Sequence, residues 1–287
     1  MRKTNVKKKV LSTLLLGSAI LCTSCGPINN KPAAEDLNLA LAGMHGSDGV
    51  SFEGASSLLL NGKPAPETAL YYGGSVAEHN KVSLYTVLPD KGTPRTAARG
   101  EKVTLKSSPA GTPAYYSKLE KKNGEWTLLS EKGSAEGDNP LPALNPIRQL
   151  DELENLEKKV TEEAGTARGT RVLRIELSEA EAKRQLAAEL QHQMDAIRPE
   201  GSMINLKVAD KGLESLQLVW EQKNKELQQK LQQVSVKTVY YLKVDKKRNL
   251  PKSLTGSRKV SRPGVQTISG STVEEIYLTQ VNFYGYR

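Results

Sequence analysis

Residues 236–256 read Val236-Lys237-Thr238-Val239-Tyr240-Tyr241-Leu242-Lys243-Val244-Asp245-Lys246-Lys247-Arg248-Asn249-Leu250-Pro251-Lys252-Ser253-Leu254-Thr255-Gly256. The stretch to Val244 is rich in β-branched and aromatic residues, which fit a pleated, half-buried surface. The polar run Asp245–Asn249 is a turn, and Leu250-Pro251 leads into a second strand. Downstream, Val273 to Phe283 is a further strand that closes the chain. This C-terminal third is therefore β.

The N-terminal region from Val50 to Ser130 has the same character. Ser51–Gly54 and Ser57–Leu60 precede Asn61-Gly62, a two-residue turn signal, and Tyr115–Glu120 and Glu125–Leu129 flank a second one at Asn123-Gly124. Ala69–Val76 and Lys81–Val87 are strands between them. The run from Pro89 to Pro113 is rich in Pro, Gly, Lys and Arg. It reads as a long mobile loop with a short strand at Val103–Leu105, a candidate lid or contact surface.

The middle, about 145–233, reads as helical. Asn145-Pro146 supplies a cap and a proline at the first helical position, and Ile147, Leu150, Leu153, Leu156 and Val160 follow as an apolar stripe. Thr170–Leu177 is strand-like. Ser178 and Glu181 have capping-box spacing, opening a helix that carries Leu186, Leu190, Met194 and Ile197. After a short strand at Met203–Val208, Leu213, Leu216, Trp220, Leu227 and Leu231 stripe a long Gln-rich helix. The two helices are expected to pair as a hairpin over one side of a sheet. Asp36–Met44 is an early short helix with Leu37, Ala40, Leu41 and Met44 on one face. Strands, then helices, then strands give an α+β chain built on one antiparallel sheet.

The order of these elements, with the segment Tyr241–Leu254 (strand, aspartate-bearing turn, Leu-Pro entry to the next strand), resembles the LolA/LppX/LprG superfamily of exported lipoprotein carriers and lipid-binding lipoproteins. The resemblance implies a curved antiparallel sheet, an incomplete barrel, with helices packed on its open side over residues 36–287. It also implies an acyl-chain cavity between sheet and helices, lined by inner-face Leu and Val and by helix residues such as Leu153 or Leu186.

The first residues place the protein. Arg2, Lys3, Lys7, Lys8 and Lys9 precede the apolar run Val10–Leu21, and Leu21-Cys22-Thr23-Ser24-Cys25-Gly26 follows. Twelve helical residues reach only about 18 Å, short of a hydrocarbon core of roughly 30 Å, so residues 1–24 read as a signal peptide. The ending resembles a bacterial lipobox. The aliphatic residue usually stands three positions before the lipidated cysteine; here Cys22 stands there and Leu21 one further back. Cys25 is thus the expected lipidation site, carrying a diacylglyceryl group and palmitate-type acylation. Residues 25–35 are a tether, and the address is the extracytoplasmic face of the cell membrane.

Removing the signal changes the charge. The whole chain has 41 basic and 32 acidic residues, hence +9; residues 1–24 contain five of the basic ones and no acid, leaving 36 − 32 = +4. That balance suits an anionic membrane surface and does not indicate nucleic acid. Of two cysteines, Cys22 is lost and Cys25 acylated, so no thiol remains for a disulfide, a metal or a nucleophile. His45, His79 and His192 stand in unlike contexts, and no hydrolase, zinc, phosphate-loop or dinucleotide motif occurs. His192 and Asp195 are an i, i+3 pair on a solvated face. No enzyme, metal or cofactor is expected. Two readings follow: a carrier or sensor of an acyl lipid or other apolar ligand, and a membrane-tethered scaffold or regulator with a filled interior, acting on an envelope protein.

Overall fold

Two Asn-Gly turns set the register of the N-terminal half of the sheet. The computed structural model describes residues 32–87, 115–132, 139–199, 210–266 and 272–287. Strands β1 (Gly49–Leu60) and β2 (Lys63–Ala77) join at Asn61-Gly62, with φ of 51° and 77°. After β3 (Lys81–Thr86), strands β4 (Tyr116–Lys122) and β5 (Glu125–Lys132) join at Asn123-Gly124, with φ of 52° and 88°. Positive φ at both central residues matches the right-handed twist of paired strands, which is why Asn and Gly occupy them. The second half consists of β6 (Lys158–Glu162), β7 (Thr170–Leu177), β8 (Ser235–Asp245), β9 (Leu250–Gln266) and β10 (Thr272–Tyr284).

All ten strands form one antiparallel sheet in the order β5-β4-β3-β2-β1-β10-β9-β8-β7-β6. Among the described residues it does not close into a barrel: β5 and β6 are its two edges. Helices α1 (Ala33–His45), α2 (Pro146–Asn155), α3 (Glu179–Ala196) and α4 (Asp210–Gln233) complete the fold, with a short 3-10 turn at Leu141–Leu144. The expected α+β class with an open curved sheet is the architecture observed. Residues Ala33–Arg287 form one compact unit.

Curvature is built from aromatic–glycine pairs across strands. Phe52 lies directly opposite Gly74, and Tyr72 opposite Gly54. A Cβ at Gly74 would stand 2.5 Å from the Phe52 ring, and one at Gly54 would stand 2.6 Å from the Tyr72 ring. Each ring lies flat across the neighbouring backbone, a packing that only glycine permits and that bends the sheet locally.

The concave face is filled at one end. Leu37, Ala40, Leu41 and Met44 of α1, Leu141 and Leu144 of the 3-10 turn, and Ile147, Leu150 and Leu153 of α2 all pack into the same core. They meet Phe52, Tyr72, Leu84, Leu173, Leu242, Leu254, Val281 and Phe283 from the sheet. Phe52 and Phe283, paired across the β1–β10 seam, meet edge to face at 6.5 Å.

The helix starts follow their sequence signals, with corrections. Asn145 accepts hydrogen bonds from Ile147 N and Arg148 N, and Pro146 takes the first helical position. Ser178 Oγ accepts from Glu181 N, but the box is only half made: Ser178 N donates to Glu157 O, and Glu181 turns to Arg184 and Glu157 N. The stripe assigned to one helix through Val160 divides at Asn155. Leu156 leaves in an extended conformation, and Val160 lies in β6 opposite Ile175, where sheet pairing satisfies its backbone and suits its branched side chain. The described part of the helical middle therefore contains the unexpected β6 beside the expected β7. Helix α1 also starts at Ala33, inside the stretch expected to be tether. The signal peptide, Cys25, residues 26–31, the Pro89–Pro113 loop with its strand, and the strand expected at 203–208 lie outside the described residues.

Candidate ligand-binding face

Strand pairing orders the inner side chains into rows. One row runs Tyr72, Gly54, Val281, Leu254, Leu242, Leu173 and belongs to the filled core. The next runs Leu70, Ser56, Thr279, Gly256, Tyr240, Ile175. Its middle positions are the small residues Ser56, Thr279 and Gly256, and the Tyr240 ring and Thr279 Oγ1 stand over Gly256, where a Cβ would meet them at 3.2 and 2.6 Å. The following row contains Leu58, Tyr277, Arg258 and Thr238, and beyond it lie Leu60, Glu275 and Val260. Tyr277 is 50% exposed and Leu60 43% exposed.

Among the described residues, helix α3 meets this half along β8 and at Arg258 of β9. Glu189 Oε2 accepts from Arg258 Nη1 at 2.6 Å, Glu179 Oε1 accepts from Ser235 Oγ at 2.7 Å, and Gln185 bonds Glu152 of α2 at 3.3 Å. Burial raises the Tyr240 hydroxyl above its ordinary value, against the lowering influence of Arg258 and of a hydrogen bond with Gln185. Several polar atoms here are buried without a protein partner among the described residues: Gln185 Oε1, Thr238 Oγ1 and Arg258 Nε. Such atoms in a native interior call for water or a ligand. The face thus combines an amphiphilic lining with a row of small side chains.

The expected lining residues separate. Leu153 is wholly buried in the filled core and takes no part, while Leu186 is half-buried at the core's margin. The α3–α4 hairpin forms as expected: Trp220 Nε1 donates to Met194 O at 2.7 Å, and Arg198 lies over the Trp220 ring. The α4 stripe is only partly used, since Leu231 is buried but Leu216 is 49% exposed. Sequence reasoning missed the row of small residues altogether. Ser56, Thr279 and Gly256 become neighbours through pairing between β1, β10 and β9, and nothing local marks them.

The histidines are less scattered than their contexts suggest. His45 Nε2 meets Asp151 Oδ1 at 2.8 Å, while Lys121 Nζ and Trp126 Nε1 donate to Asp151 Oδ2 at 2.8 and 3.0 Å. His79 contacts Ser47 O and Asp48 Oδ1 at the same end of the sheet. These contacts fasten α1, α2 and the strand turns together. His192 is exposed on α3, and Asp195 bonds Gln191 instead of pairing with it. Among the described residues no three His, Cys, Asp or Glu side chains converge on a metal-sized site, and no described helix is long and apolar enough to cross a membrane.

No family model and no curated protein matches the sequence. Solved structures do. The chain is similar to lipovitellin, in a structure concerned with its lipid–protein interactions, at 9% identity and a TM-score of 0.33, over 83% of this chain and 25% of that one. It thus spans about a quarter of the lipovitellin chain. It is similar to a DUF1329 family protein from Desulfovibrio piger at 12% identity and a TM-score of 0.27, over 90% and 93% of the two chains. A LolA superfamily protein from Nitrosomonas europaea matches at 8% identity and a TM-score of 0.25, over 89% and 92%. The superfamily named from residues 241–254 is therefore among this chain's neighbours in solved structures.

Proposed function

We propose that this chain is a lipid-anchored, non-enzymatic protein of the cell envelope that holds an acyl lipid or a similar amphiphile on the concave face of its sheet. The observation that carries the reading is the row of small inner residues Ser56, Thr279 and Gly256, bordered by the partly exposed Leu58 and Tyr277 and by Arg258. An acyl chain lying along this row leaves water against apolar side chains, gaining about 0.8 kcal/mol per buried CH₂. Arg258, whose Nε has no protein partner, faces the polar end of such a molecule. Binding of this kind needs no catalytic group. Cys25, acylated with two chains, supplies stable attachment, since one chain alone gives marginal binding.

Residues Ala33–Arg287 form a compact unit, so a form starting at Gly26 tests the binding apart from the anchor. Lipid extraction followed by mass spectrometry is expected to show acyl lipid in near-stoichiometric amount. A lipid-free protein that also takes up no fluorescent fatty acid sinks the carrier reading and leaves the tethered-scaffold one. For the anchor, Cys25→Ala is expected to move the protein from the membrane fraction to the medium or soluble fraction.

A further inference from the structure

The β8–β9 turn has a charge pattern that the ligand face does not explain. Residues 245–252 hold four cations, Lys246, Lys247, Arg248 and Lys252, against one carboxylate, Asp245. That carboxylate is turned into the loop. It accepts from Lys247 N at 3.0 Å and Arg248 N at 3.1 Å, and it pairs with Lys252 at 3.1 Å. The turn is thereby fixed, with the Lys246, Lys247 and Arg248 side chains exposed. Among the described residues no acidic side chain lies within 4.0 Å of Lys247 or Arg248. Arg168, exposed on the adjoining β6–β7 connection, extends the same rim, and Lys246 N donates to Gly169 O there.

The rim also lies beside the point where the chain leaves for Cys25. Arg171 pairs with Asp36 in the first turn of α1 and with Glu162 at 3.3 Å, and Lys246 Nζ stands 3.9 Å from the same Glu162. Further along α1, a Cβ on Gly43 would fall 2.5 Å from Asn249 O, so the helix rests directly on this turn. Seven residues separate Cys25 from Ala33, a span of at most about 29 Å. A short leash and a cationic rim at its attachment point bring opposite charges together when the surface holding the leash is an anionic bilayer.

We infer that Lys246, Lys247 and Arg248 are a second membrane contact, which binds anionic phospholipid head groups and orients the anchored body on the bilayer. The inference rests on the anchored reading above, because the tether is what delivers the rim to a membrane. Its test omits the anchor, so that the two fail separately. The Gly26–Arg287 form is sedimented with an excess of vesicles, either phosphatidylcholine alone or equal parts phosphatidylcholine and phosphatidylglycerol, at low and at high salt. Binding to the anionic vesicles is expected at low salt, with release at high salt. The variant Lys246→Gln/Lys247→Gln/Arg248→Gln is expected to weaken it at least tenfold. A matched variant on α4, Lys223→Gln/Lys225→Gln/Lys230→Gln, is expected to leave it unchanged. Equal partition onto both vesicle types, absence of binding to the anionic ones, or equal losses in the two variants overturns the inference. Cys25→Ala fractionation reports the anchor independently of all of these.

Discussion

The two ends of the concave face use the same six strands, β2, β1, β10, β9, β8 and β7, to opposite effect. Toward the β8–β9 turn, inner positions hold Phe52, Tyr72, Leu242, Leu254 and Phe283, and α1, the 3-10 turn and α2 press Leu37, Leu141, Leu150 and Leu153 into them. Toward the other end, inner positions shrink to Ser56, Thr279 and Gly256 and then open onto Leu58 and Tyr277, while among the described residues α3 meets one flank. A sheet row of large apolar side chains matched by a helix makes core. A row of small ones next to half-exposed large ones makes a surface that gains by being covered.

The difference is sharpest in paired truncations. Leu153→Ala removes a fully buried side chain from the filled end and is expected to cost about 3 kcal/mol, whereas Leu58→Ala at the open end is expected to cost under about 1 kcal/mol. Urea denaturation of both variants measures this, and equal losses would erase the distinction between the two ends. Next in size, Asp151→Ala strips His45, Lys121 and Trp126 of their shared partner and is expected to cost about 2 kcal/mol, read the same way.

Thr279→Phe covers the row of small residues with a ring at the core's margin, beside Tyr240. Fatty-acid uptake is expected to fall at least tenfold while the melting temperature shifts by only a few degrees. Unchanged uptake would place the ligand elsewhere. The smallest effect concerns pH. A hydrogen bond from Lys252, followed by backbone donation from Arg248, holds the Asp245 carboxyl below its ordinary range. Its contribution is therefore complete above the unfolded value of about 3.9 and is lost as pH falls through the lower folded value. Asp245→Asn is expected to flatten the fall in melting temperature below about pH 4, as followed by circular dichroism across a pH series.

What the chain reveals locally it reveals well. The Asn-Gly turns, the Asn145-Pro146 helix start and the apolar face of α1 are short-range devices, and each is used as its chemistry suggests. The errors occur where a longer-range partner decides. Val160 fits a helical spacing but finds β7, because an edge position in the sheet satisfies a branched residue and its backbone together. Leu153 looks like a lining residue until α2 is seen to drive it into the core. The row of small residues on the candidate face was illegible because its three residues come from strands more than two hundred positions apart at the extreme.

The sheet's strand order has a kinetic consequence. Every neighbouring pair except one joins strands consecutive in the chain; the exception is β1 with β10, which brings Ser51 against Tyr284. Two local meanders, β1–β5 and β6–β10, are thus each quick to assemble, while the seam that unites them must close a loop of most of the chain. Joining is expected to be the slow step. Until it happens, both β1 and β10 present free edges flanked by Leu58, Leu59, Ile276 and Leu278, the state in which the newly made chain is most exposed to mispairing with a second copy of itself.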